Sequence, residues 1–185
     1  QRRGLLLRSL PGSWVDPDSE GLDDAQVRAV DGAVRGGRAA VLLTHAPLLH
    51  PRGGRARQFA LDPGERNGLA SQAHFERELF ATGHRSGVIF RNSAELIRIL
   101  ASAPGPVSVI SGHVHKATGA RLDRRRLQAE VCGLVPPQDP SAEVPLFTAP
   151  SLGHRRKAHG EWPGYLIATY HDGALVDIER RFVGL

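Results

Sequence analysis

The chain has 185 residues, 41% hydrophobic and 23% charged, with a formal net charge of +5. That length supports one domain, residues 1–185, with a buried core. A single cysteine, Cys132, excludes an internal disulfide framework and fits a reducing compartment, and no run approaches the roughly eighteen apolar residues that a membrane helix needs.

In chain order, Leu5-Leu6-Leu7 behind Arg2-Arg3 imitates a signal peptide, but the apolar run is too short. Gly4 to Leu10 reads instead as a buried strand closed by Pro11-Gly12. Leu22 to Val34 reads as a helix: Asp23 or Asp24 can cap it, Val27, Val30, Ala33 and Val34 form its apolar stripe, and Gly36-Gly37 ends it. Ala39 to Thr44 is a continuous apolar strand of the kind covered on both faces. It delivers His45 to its C-terminal end, where open α/β sheets place their ligands. The connection from Leu48 to Arg91 is long for a compact domain, with loop signals at Pro51 to Arg55 and Pro63-Gly64. A short helix is expected over 71–80, and part of the connection is expected to overhang the site as a lid. Its histidines His50, His74 and His84 read as surface residues.

Asn92-Ser93-Ala94-Glu95 predicts a helix start, and Leu96, Ile97, Ile99 and Leu100 supply its buried face up to Ala103. Pro104-Gly105-Pro106 stops it. Val107 to Ser111 is a second apolar strand, followed at once by Gly112-His113-Val114-His115. Beyond Ala120, strands are expected near Leu127–Val131, Val144–Thr148, Tyr165–Tyr170 and Ala174–Ile178, as an antiparallel layer. His171-Asp172-Gly173 joins the last two. Cys132 reads as a small buried strand residue. The pattern as a whole suggests a layered α/β sandwich.

Chemistry concentrates at the two strand ends. With nine histidines present, His-x-His alone says little, but Gly-His-x-His directly after an apolar strand is far more selective. Residues i and i+2 of an extended chain point the same way, so both rings can reach one site, and Gly112 lets the backbone leave the sheet where a β-carbon would hinder it. Neutral imidazole is a common metal ligand. His45, His113 and His115 are therefore the candidate metal ligands. The bland alternative is that they are strand-end residues satisfying backbone groups. His154, and Arg91 and Asn92 at their helix start, are weaker candidates for the rim of the site and for substrate contact.

Thr44-His45-Ala46-Pro47-Leu48 and Gly112-His113-Val114-His115-Lys116 resemble the last two sequence blocks of the calcineurin-like metallophosphoesterases. Leu22 to Gln26, Val144 to Ser151 and Pro163 to Ile167 are similar to further segments of the C-terminal part of that family. The resemblance implies a four-layer α/β/β/α sandwich of two sheets with helices outside. It implies a phosphodiesterase or phosphomonoesterase that uses a dinuclear centre of manganese, iron or zinc and a metal-activated hydroxide. His45 and His113 would bind one metal and His115 the other. The family's Asp-x-His, Gly-Asp-x-x-Asp and Gly-Asn-His blocks do not occur in these 185 residues, and the catalytic His that belongs with them has no counterpart. The expectation is accordingly a C-terminal portion whose N-terminal part belongs to the same longer protein. Three imidazoles without a bridging carboxylate would hold one metal weakly, not two. The alternative is a non-catalytic fragment or degenerate binding module.

Apart from Lys116 and Lys157 the positive charge is arginine, a bias of the kind bacterial coding composition imposes. Arg124-Arg125-Arg126 and His154-Arg155-Arg156-Lys157 read as solvated turns or strand ends, with attraction of a phosphate-ester small molecule as the functional alternative. Nucleic-acid binding lacks support, because no aromatic platform accompanies the arginines. No membrane partner is expected, and a cytoplasmic location is.

Overall fold

The computed structural model describes residues 6–9, 22–45, 47–48, 58–60, 93–112, 115, 117–152 and 163–183. Helix α1, Asp24–Arg35, begins with a reciprocal cap: the Gln26 amide donates to Asp23 Oδ1 at 2.7 Å, and the Asp23 amide donates to Gln26 Oε1 at 3.0 Å. Val27, Val30 and Val34 are its buried stripe. Gly37 takes the left-handed conformation that ends it, with φ +69°. Helix α2, Ser93–Ala101, buries Leu96, Ile97 and Leu100 completely. Both helices pack on one face of a mixed sheet.

Among the described residues seven strands make that sheet: β1 Leu6–Ser9, β2 Ala40–Thr44, β3 Gln58–Ala60, β4 Val107–Ser111, β5 Thr118–Asp123, β6 Gln128–Val131 and β7 Glu143–Thr148. Their lateral order is β1-β2-β4-β7-β5-β6-β3. The first four run parallel, and β5, β6 and β3 continue antiparallel. Alternate residues of the central strands (Ala40, Leu42, Val107, Val109, Val144 and Leu146) meet the helices in the main core.

The opposite face is covered by a hairpin, β8 Gly164–His171 and β9 Ala174–Phe182, a separate two-stranded sheet. Asp172 and Gly173 at its tip have φ 49° and +81°, the paired left-handed residues of a type I′ turn. The hairpin packs Leu175 and Ile178 against Phe147, and Tyr170 shares a 2.8 Å hydrogen bond with Ser108. Helices, mixed sheet and hairpin are the layers of this α/β fold.

Several placements differ from expectation, and β6, expected in one layer with 165–178, is instead part of the mixed sheet. The strand at 143–148 was expected beside 165–178, yet β7 lies in the parallel sheet next to β4. Its residues from Val144 to Thr148 are all buried, as befits a strand covered on both faces. The second layer among the described residues is therefore β8 and β9 alone. Strand β5 was not anticipated because it opens on Thr118-Gly119, a weak strand start. Gly119 is there for space: a β-carbon on it would run into the Gly133 carbonyl and lie 2.7 Å from the Phe147 ring. Strand β3 was also unexpected. It lies within the long connection, at the sheet edge beyond β6, five strands from β2 and so about 24 Å away. The rest of the expected lid, the helix over 71–80 and His50, His74 and His84 lie outside the described residues. Cys132 falls just after β6 rather than within it, half-buried and unpaired, with burial raising its thiol pKa.

Candidate metal centre

Strands β2 and β4 are parallel neighbours in a register that sets Thr44 beside Ser111. Both chains therefore leave the sheet at the same carboxyl edge, and the Gly112 amide donates to the His45 carbonyl at 2.9 Å. His45 is exposed, while Thr44 before it and Pro47 and Leu48 after it are buried. The backbone carrying His45 is thus anchored on both sides. His115 is also exposed, and it adopts a left-handed backbone with φ 57°.

The edge thus brings His45 and Gly112 together. His113 lies outside the described residues, and so do His154, Arg91 and Asn92. Among the described residues no three His, Cys, Asp or Glu side chains are grouped to hold a metal. What the described residues place at or beyond this edge is His45 and, three positions after Gly112, His115, both exposed.

The expectation that a β-carbon at position 112 would hinder the backbone is not met. Gly112 does not take a positive φ, and a β-carbon there would sit 3.6 Å from the His45 oxygen, an ordinary contact among the described residues. Among the described residues between β4 and β5, the left-handed one is His115.

A row of hydroxyls was overlooked. Register pairs Thr44 with Ser111, Ser111 with Thr148, and Thr148 with Thr118, so four adjacent strands carry a hydroxyl at the same step. All four side chains are buried. Ser111 Oγ donates to the Phe147 carbonyl at 2.9 Å, and the Ala149 amide donates to the Ser111 carbonyl at 2.7 Å. The signal was present in Thr44-His45, Ser111-Gly112 and Thr148-Ala149, each a hydroxyl residue closing an apolar run.

The first arginine cluster lies at the other end of the sheet. Asp123 pairs with Glu143, and Thr118 with Thr148, so the turn after β5 is about 16 Å from the histidine edge along the strands. Arg124 turns inward, donating from one guanidinium nitrogen to the Ala103 carbonyl and from another to Gly105 at 2.9 Å. It thereby closes the C-terminal end of α2, and its burial lowers its pKa. The amides of Arg125 and Arg126 donate to Asp123 Oδ1 at 2.8 and 2.9 Å. This cluster shapes a turn rather than lining the site.

Comparison with protein-family models, with curated proteins and with solved structures finds no match for this chain.

Proposed function

We propose that this chain is the C-terminal portion of a metal-dependent phosphoester hydrolase of the calcineurin-like metallophosphoesterase kind. The observation that carries the proposal is the Gly112–His45 hydrogen bond, which sets the two histidine-bearing strand ends side by side at a sheet's carboxyl edge. His45, His113 and His115 would be the metal ligands, and the hairpin β8–β9 would belong to the second sheet of the family's four-layer sandwich. A bound divalent metal (manganese, iron or zinc) supplies positive charge that lowers the repulsion between a phosphoester and an anionic nucleophile. The protein's own part is to present imidazole nitrogens at fixed spacing. The ordered frame of Thr44, Pro47, Leu48 and Ser111 around the two loops supports that role. The substrate class is a phosphate-ester small molecule. Among the described residues no helix is long and apolar enough to cross a membrane. Cytoplasmic location is part of the same proposal, supported by the unpaired Cys132.

A second reading, a non-catalytic or degenerate binding module, is favoured by one observation. The chain carries neither the Asp-x-His nor the Gly-Asn-His block that supplies the family's other ligands.

The test is hydrolysis of a chromogenic phosphodiester by the complete protein, with and without added manganese. Metal-dependent turnover is expected, together with at least a hundredfold loss in His45→Ala and in His113→Ala. Full activity in both variants would overturn the assignment. Metal binding without turnover in the complete protein would select the module instead.

A further inference from the structure

We infer that Ser111 is a positioning residue for the proposed metal site, its buried hydroxyl fixing the strand end from which Gly112 departs beside His45. The inference rests on the metal-site proposal above and concerns what holds that site in shape.

The change of chemistry across one step of the sheet is the starting point. One row inward, the register partners are Leu42, Val109, Leu146 and Ala120, all apolar. The next row toward the carboxyl edge is Thr44, Ser111, Thr148 and Thr118, all hydroxyl-bearing. Both rows face the helices, because positions two apart on a strand share a face. Composition does not explain the second row, since it takes three of the chain's five threonines. Nor does exposure, since Thr148 is 3% and Ser111 5% exposed. A buried hydroxyl is costly unless bonded, and an apolar side chain would fill the same space without that cost.

What the hydroxyl adds is visible at Ser111. Its Oγ grips the Phe147 carbonyl and its own carbonyl accepts from Ala149, so two bonds clamp the last residue of β4 to β7. The next residue, Gly112, binds His45 across β2. The ends of β2, β4 and β7 are thereby tied together immediately before the histidines emerge. Ligands presented from such a frame keep their spacing, and a site loosened by even an ångström loses affinity for its metal.

Ser108 provides the control. It is a buried serine on the same strand, equally hydrogen-bonded (2.8 Å to Tyr170), but it faces the hairpin and stands far from the histidine edge. The experiment is a cobalt(II) titration of the full chain, followed by visible absorption and paired with thermal melts, for wild type, Ser111→Ala and Ser108→Ala. The expected result is comparable loss of melting temperature in both variants, with cobalt binding roughly tenfold weaker and its bands shifted only in Ser111→Ala. Equal cobalt affinity in the two variants overturns the inference while leaving the metal site standing. If Ser111→Ala fails to fold, Ser111→Cys, close in size and a much weaker hydrogen-bond donor, is expected to show the same weakening, and wild-type affinity there overturns the inference too. A wild-type chain with no cobalt signal removes the metal site and the inference together.

Discussion

Two glycines near the site carry different burdens. Gly112 has an ordinary backbone conformation, and a β-carbon added to it would meet nothing among the described residues closer than 3.6 Å. Gly119 lies under the Phe147 ring and has no such room. Gly112→Ala should therefore change stability by no more than about 0.5 kcal/mol, whereas Gly119→Ala should cost about 1–3 kcal/mol through overpacking. Urea unfolding of both variants checks this, and an equal cost at the two positions would contradict it. His115 is the residue under conformational load, since a non-glycine left-handed backbone is uncommon. Legibility at this scale was uneven. His45 stood out because an apolar run ended on a polar residue, a purely local signal. The hydroxyl row did not, because it exists only through register between residues as distant as Thr44 and Ser111, which periodicity within a single strand cannot supply.

At the scale of elements, the hydrogen bond between Tyr170 and Ser108 ties the hairpin to the sheet. Burial raises the Tyr170 phenol above its usual pKa, and the hydrogen bond with Ser108 opposes part of that rise. The unfolded chain therefore loses this proton at lower pH than the folded chain. The resulting stability is full below the free phenol's range near ~10 and is lost as pH climbs through it. Tyr170→Phe should cost about 1 kcal/mol at neutral pH, from the lost hydrogen bond, and should flatten the alkaline decline. Cys132, raised by burial as well, contributes in the same direction in both proteins. Denaturant unfolding at neutral and alkaline pH measures the difference, and an identical alkaline slope in the two proteins would place its origin elsewhere. Helix α1 and strands β2 and β4 were legible because propensity, capping and burial pattern agree within each segment. The placement of β7 was not, because a strand buried on both faces reads the same whichever sheet it joins. Strands β3 and β5 were short or began on glycine, and their pairing partners rather than their composition define them.

For the whole molecule, topology separates two ends. The carboxyl ends of the parallel strands gather at the edge that bears His45, Gly112 and the hydroxyl row. The arginine turn after β5 lies at the opposite end. A ligand at the first end would be recognised by imidazole nitrogens and not by that arginine cluster. The most direct test is bound cobalt or manganese on the full chain, measured as pH is lowered, for wild type and His45→Ala. Protonation removes the imidazole lone pair, so wild-type occupancy is expected to fall on acidification, with binding at neutral pH weakened in His45→Ala. Metal retained by the wild-type chain down to about pH 4, or bound equally well without the His45 ring, would contradict histidine ligation at this edge.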